Sequence, residues 1–260
     1  MILDDIVRSA KARVSEEKRK TAFKDMRDAA LSMDRLNGSP FKKALGKPGI
    51  SFICEVKKAS PSKGVISSDF PFIDIARGYE RAGADAVSVL TEPEFFLGCD
   101  LHLEAISKRI GLPVLRKDFV VDSYQVYQAR TIGASAVLLI CSVLSDRSLA
   151  ECMAAAEDLG ISVLTEVHDP GEVERALNAG ADIIGANNRD LRTFEVDIGV
   201  SVRLRDEVPD GVLFVAESGI RTRADIEILE KCGADAVLIG ESMMLSDDKK
   251  GYLDSLRGTV

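Results

Sequence analysis

The sequence predicts an α/β fold of the (β/α)8 TIM-barrel class with an N-terminal helical extension, and three observations predict it. One short phrase occurs four times: AGADAVSVL at 82–90, IGASAVLLI at 132–140, AGADIIGAN at 179–187 and CGADAVLIG at 232–240. Its glycines Gly83, Gly133, Gly180 and Gly233 are 50, 47 and 53 residues apart, a period that suits two strand-plus-helix units rather than one. Four further apolar runs alternate with the copies, and helix-start signals follow the runs.

Residues 1–49 form the extension. Leu3, Ile6, Val7, Ala10 and Val14 mark the apolar stripe of a helix, a mixed-charge stretch follows, and Gly46-Lys47-Pro48-Gly49 ends the segment. Its Leu and Ile positions are expected to pack on the barrel, and the segment near Pro40-Phe41 to approach the substrate. The run Ser51–Lys57 is the first strand and the 82–90 copy the second. Pro113–Asp118, Ile161–Val167 and Val212–Ser218 supply the third, fifth and seventh, and the remaining copies the fourth, sixth and eighth. In each copy a helix ends, Gly-Ala turns the chain, and a β-branched apolar run begins a strand buried on both faces. Among the helices, Asp169-Pro170-Gly171-Glu172 offers an N-cap, a proline at the first helical position and an acid at the third. Thr222-Arg223-Ala224-Asp225 resembles a capping box, and Asp122 with Gln125 is a similar pair. Eight such units over about 210 residues match the size of a (β/α)8 barrel, so residues 1–260 are expected to form one barrel domain.

Composition narrows the function. With 260 residues and 46% apolar content the chain can bury a large core. No run approaches the length of about 18 apolar residues that a membrane helix needs, and the start of the chain does not resemble a signal peptide. Five cysteines, odd in number and never spaced Cys-x-x-Cys, suit buried reduced thiols and a cytoplasmic location. A net charge of −8 argues against nonspecific nucleic-acid binding. His102 and His168 are too few and too far apart to suggest a metal site. The expected partner is a phosphorylated small molecule, with no nucleic acid, membrane, metal or cofactor, and the chain is expected as a monomer or weak homodimer.

Chemistry in such barrels sits at the carboxyl ends of the strands. Period-2 alternation places Ile53, Glu55 and Lys57 on one face of the first strand, and Leu115 with Lys117 on one face of the third. The opposite faces meet helices, so the charged residues should point into the barrel mouth. Glu166 ends the fifth strand, Asn187-Asn188-Arg189 the sixth, and Glu217 the seventh. A single strand-end Glu or Lys is more often an ordinary ion pair than a functional group. Seven charged or amide groups converging on one mouth favour a site, because buried charges cost several kcal/mol unless paired or used. His168 and Asp169 read more simply as a loop residue and an N-cap. Glu217-Ser218-Gly219-Ile220 and Gly240-Glu241-Ser242 place glycines and backbone N–H groups after the last two strands, the usual barrel location for phosphate. Ser60-Pro61-Ser62-Lys63-Gly64 adds a flexible loop after the first. On these residues alone, a sugar-phosphate isomerase, a Schiff-base aldolase using Lys117 or Lys57, and a noncatalytic phosphate-ligand sensor remain rivals.

The chain resembles the indole-3-glycerol-phosphate synthase family in seven motifs, in order: CEVKKASPSKGVI (54–66), SVLTEPEFFLG (88–98), VLRKDFVVDSYQVYQAR (114–130), LTEVHD (164–169), GANNRDLRTFEVD (185–197), VAESGIRT (215–222) and LIGESMM (238–244). The ILDDIV start is similar as well. FLGCD departs from the family's more usual FQGS-like segment, and Val14 to Met33 matches loosely. The resemblance implies a carboxy-lyase of tryptophan biosynthesis that converts 1-(2-carboxyphenylamino)-1-deoxyribulose 5-phosphate to indole-3-glycerol phosphate, CO2 and water. It implies Lys117 as the acid on the ribulose carbonyl, Glu166 as the main base, and Glu55 and Lys57 in dehydration or orientation. Asn187, Arg189 and Glu217 would hold the anthranilate carboxylate and sugar hydroxyls. Lys57, Ser218, Gly219, Gly240 and the Glu241 backbone N–H would hold phosphate, with Ser60 contributing to the substrate pocket and Pro61 and Phe119 flanking the aromatic ring. For an ammonium acid working near neutrality, a Lys117 pKa lowered to roughly 7–8 by burial, Lys57 and Arg189 is expected.

Overall fold

The computed structural model describes residues 2–190 and 193–259. Three helices precede the first strand: α1 (Ile2–Lys20), α2 (Phe23–Leu31) and α3 (Pro40–Leu45). β1 (Ser51–Val56) leads into a two-stranded antiparallel hairpin of β2 (Ala59–Ser60) and β3 (Gly64–Val65), so the expected flexible loop is a short hairpin. Then come α4 (Phe72–Ala82), β4 (Ala86–Leu90), α5 (Asp100–Ser107), β5 (Val114–Lys117), α6 (Tyr124–Thr131), β6 (Ala136–Ile140) and α7 (Asp146–Leu159). The chain continues through β7 (Ser162–Val167), α8 (Pro170–Asn178), β8 (Ile183–Asn187), α9 (Gly199–Arg205), β9 (Leu213–Glu217), α10 (Arg223–Cys232) and β10 (Ala236–Ile239). Two helices, α11 (Glu241–Leu245) and α12 (Lys249–Arg257), finish it.

β1 and β4 to β10 pair in parallel, and β10 closes on β1 to make an eight-stranded barrel. The recurring phrase explains how each turn is made. Gly83 and Gly233 cap α4 and α10 at φ 89° and 83°, a left-handed backbone that glycine adopts without a Cβ clash. In the first and last copies the Asp that follows Gly-Ala then ties the next strand to its neighbour. Asp85 donates its N–H to Phe52 O (2.9 Å) and its Oδ2 accepts the Phe52 N–H (2.9 Å); Asp235 does the same with Phe214 (2.9 and 2.7 Å). The caps of α8 and α10 form as expected: Asp169 accepts from Glu172 N (2.8 Å), and Thr222 and Asp225 complete a capping box. At α6 the cap position is Ser123 instead; Asp122 accepts from Tyr124 N and Gln125 from Val121 N, which orders the turn one residue earlier.

Alternation along the strands sorts two cores. Ile53, Leu115, Leu138, Leu164, Ile183 and Val215 fill the barrel interior, while Phe52, Cys54, Val56, Val137, Leu139 and Phe214 pack outward against the helices. The extension closes both ends of the interior. α1 buries Ile6, Ala10 and Val14 and brings Ile2, Leu3 and Ile6 to the carboxyl-end mouth. α3 does not approach that mouth. Phe41 and Leu45 are fully buried, Ser51 Oγ donates to Ala44 O and Leu45 O, and Lys42 pairs with Asp182 (2.8 Å), which puts α3 under the amino ends of the strands. The reason is its apolar content: Phe41 and Leu45 cap the greasy floor of the barrel, not its charged top. All five cysteines are free. Among the described residues no helix is long and apolar enough to cross a membrane.

Candidate active site

The carboxyl-end mouth opens into a cavity, and every residue singled out from the sequence lines it: Glu55, Lys57, Ser60, Pro61, Lys117, Phe119, Glu166, Asn187, Arg189, Glu217, Ser218, Gly219, Gly240 and Glu241. Alternation carries the charged residues there. Glu55 and Glu217 continue the inward rows that begin with Ile53 and Val215, so the chain cannot bury those aliphatic residues without aiming the carboxylates up the barrel.

At the centre lies Lys117. Its Nζ is 3.1 Å from Glu217 Oε2 and 3.3 Å from Glu166 Oε2, and both carboxylates are buried. Glu166 Oε1 accepts from Asn187 Nδ2 (3.1 Å), while Glu217 Oε1 is buried without a hydrogen-bond partner. A second pair, Lys57 to Glu55 at 2.6 Å, stands beside it. Two glycines make room for these groups. A Cβ on Gly185 would come within 2.4 Å of Glu217 Oε1, and one on Gly240 within 2.4 Å of Glu55 Oε1 and 2.8 Å of Lys57 Nζ. Arg189 does not reach Lys117; its guanidinium donates to Phe194 O (3.1 Å) and its N–H to Asn187 Oδ1 (3.1 Å). Glu241 offers the cavity a backbone position, while its carboxylate lies 3.3 Å from Lys63 Nζ.

Above this floor, the loop after β9 turns through Ser218 and Gly219 at φ 68° and 82°. Asn188, buried behind it, donates to Ser218 O (3.1 Å) and accepts from Ser201 N and Oγ (3.0 and 2.8 Å), joining that loop to α9.

The family model described as Indole-3-glycerol phosphate synthase matches residues 3–256. This chain belongs to the indole-3-glycerol phosphate synthase family. It is similar to proteins of that name from Ruminiclostridium cellulolyticum (52% identical over 260 residues, all of both chains) and Endomicrobium trichonymphae (56% over 257 residues, 99% of this chain and 100% of the other). Among solved structures, a 3-hexulose-6-phosphate synthase (TM-score 0.65, 15% identity, 81% and 100% of the chains) shares only the fold. The same holds for orotidine 5'-phosphate decarboxylase from Pyrococcus horikoshii (0.59, 14%, 80% and 99%).

In this indole-3-glycerol phosphate synthase relative the electrostatics of the centre differ from the expectation for Lys117. Burial by itself lowers its pKa, but the charges of Glu217, Glu166 and Glu55 outweigh burial and hold it well above the usual lysine range. The two carboxylates are driven apart. Burial raises both; for Glu166 the charges of Lys117 and His168 and the Asn187 hydrogen bond win and the pKa falls, whereas Glu217 stays raised, to about 7. Sequence reasoning missed three kinds of residue here: the α1 side chains in the mouth, the clearance at Gly185, and His168, which contacts Glu166 from behind. The apolar stripe of α1 and the glycine inside a strand were the signals available for the first two.

Proposed function

We propose that the charged mouth is where this chain acts as an indole-3-glycerol phosphate synthase, closing the indole ring of 1-(2-carboxyphenylamino)-1-deoxyribulose 5-phosphate with release of CO2 and water. The observation that carries the assignment of roles is the Glu166–Lys117–Glu217 cluster at 3.1–3.3 Å under two glycine-containing loops. As the aryl carbon attacks the ribulose C2 carbonyl, negative charge grows on the carbonyl oxygen. Lys117, kept as an ammonium by its carboxylate neighbours, stabilises that charge and passes a proton to it, because an alkoxide is more basic than even a strengthened lysine. The C–CO2 bond then breaks and its electrons restore aromaticity. Loss of the new hydroxyl as water needs an acid at the oxygen and a base for the proton left on carbon. Two carboxyls with pKa values driven apart suit that division: Glu217 the acid, Glu166 the base.

Lys57 and Glu55 orient the substrate, and Lys57 with the loops at Ser218, Gly219, Gly240 and Glu241 holds the phosphate. Asn187 and Arg189 face the anthranilate carboxylate and sugar hydroxyls, Ser60 lies at the rim, and Pro61 and Phe119 flank the ring. A Schiff-base aldolase fits poorly, since it needs an unprotonated amine and Lys117 is held charged. The test is a fluorescence assay of purified protein for indole-3-glycerol phosphate formation, with borohydride trapping in parallel. Indole-3-glycerol phosphate and no lysine adduct is the expected result; an adduct without product overturns the reading.

A further inference from the structure

Behind Glu166, outside the cavity, stands one of the two histidines of the chain. His168 follows β7 by one residue. Its backbone N–H donates to Glu172 Oε2 at 2.8 Å, and its Nδ1 lies 3.1 Å from the same oxygen, so the first turn of α8 fixes the ring. The other nitrogen, Nε2, is buried with no hydrogen-bond partner and sits 3.4 Å from Glu166 Oε1. The imidazole is thus clamped between one carboxylate that anchors it and one that faces the cavity.

We propose that His168 is a positioning residue for Glu166: as an imidazolium held by Glu172 it keeps the Glu166 carboxylate ionised and oriented on the acid side of neutrality. This rests on the reading of Glu166 as the base. The surrounding charges agree in sign. Facing the ring are Glu166 on β7, Glu172 on α8 and Glu217 on β9; burial lowers the ring pKa, and these carboxylates raise it above the usual histidine value. Glu166 faces Lys117 on β5 and Asn187 on β8 as well as the ring. Glu172 in turn faces Arg175 on its own helix and the Cys141 thiol that follows β6. A neutral side chain at 168 removes one of the two cations that hold Glu166 ionised, so the Glu166 pKa rises.

The experiment compares kcat from pH 5 to 9 for wild type, His168→Gln and Glu172→Gln, with NMR titration of the histidine ring signals. His102, whose pKa is lowered by burial and by Lys58, serves as the internal reference. The ratio of His168→Gln to wild-type kcat is expected to be about 0.3–0.8 at pH 5, the loss that follows when a Glu166 pKa below the ordinary carboxylate value rises by up to about one unit, and to approach one as pH rises and Glu166 becomes fully ionised in both. KM should change little. Glu172→Gln keeps the ring but weakens its hold on the proton, so the His168 resonance should titrate at a lower pH than in wild type. It also carries the test if His168→Gln does not fold. The His168 resonance should titrate lower in Glu166→Gln than in wild type. A deficit in His168→Gln that is the same at every pH, or a His168 titration indifferent to Glu166→Gln, overturns the inference. Glu166→Gln turning over at the wild-type rate sinks instead the base assignment beneath it.

Discussion

In the proposed reaction Lys117 supplies the acid, and its neighbours determine what removing it does. Lys117→Met keeps length and apolar bulk but deletes the ammonium, so kcat for ring closure should fall by about 10² to 10⁴. A loss of less than tenfold would move the acid role elsewhere. The same variant leaves Glu166 and Glu217 facing each other without the lysine between them, so its melting temperature should fall behind wild type as pH rises and the two ionise. Glu217 gives the pH dependence. With its pKa raised to about 7, the protonated acid is present below that pH and lost above it, so wild-type kcat should decline as pH rises through 7. Glu217→Gln should be slow and lack that inflection. A wild-type rate that climbs through 7 would instead make Glu217 a base. The stability sign follows from the same shift: a raised carboxyl contributes fully below its unfolded pKa of about 4.3 and the contribution is lost as pH rises through about 7. Glu217→Gln should therefore melt no lower than wild type at pH 8, and a fall of several degrees there would contradict the assignment.

At the scale of elements, glycines and turns set what the strands can present. Gly185 lies in β8, where a Cβ would meet the end of the Glu217 side chain at 2.4 Å and Leu164 Cδ1 at 3.1 Å. A flexible carboxylate can yield more easily than backbone, so Gly185→Ala should fold, with Glu217 displaced and kcat reduced at least tenfold; unchanged kcat would show that Glu217 position is not critical. Gly219 is different. At φ 82°, with a Cβ 2.3 Å from Val196 Cγ1, Gly219→Asp strains the loop and also sets a carboxylate against phosphate. Raw KM mixes the two effects. The phosphorylated substrate should lose far more affinity than an unphosphorylated analogue, and equal losses would remove this loop from the phosphate site.

Across the whole molecule, α1 is held over the mouth by polar ties to the segment that follows β5. Arg13 pairs with Asp118 at 2.7 Å, next to Lys117, and Lys18 pairs with Asp122 at 2.6 Å. Asp118 is fully buried, also accepts from Thr91 Oγ1 (2.7 Å), and has its pKa depressed: burial opposes this, and the charges of Arg13 and Arg116 prevail. Arg13→Ala leaves a buried carboxylate with less compensation, so the melting temperature should drop by about 2–8 °C, and amide exchange over residues 2–20 should quicken. Unaltered exchange in α1 would mean that its apolar stripe alone keeps it docked.

Much of this protein was legible in its residues, for local reasons. The four Gly-Ala phrases state the helix end, the turn and the strand start in consecutive residues, and strand alternation then dictates that Glu55, Lys117, Glu166 and Glu217 share the inward face. Periodicity says which face a side chain takes but not what stands opposite it. That Lys117 lies between two carboxylates, and so has a raised pKa, depends on strands far apart in sequence meeting across the barrel. That α3 closes the floor while α1 covers the mouth depends on which end of the closed sheet is apolar and which is charged. His168 looked like a loop residue because the Glu166 and Glu172 carboxylates meet at its ring only once β7 and α8 are packed. The barrel and the residues of its mouth can be read along the chain, since both follow from local turns and a period of two. Their partners and proton affinities emerge only when the barrel closes, since these follow from distances across it and from the water excluded between them.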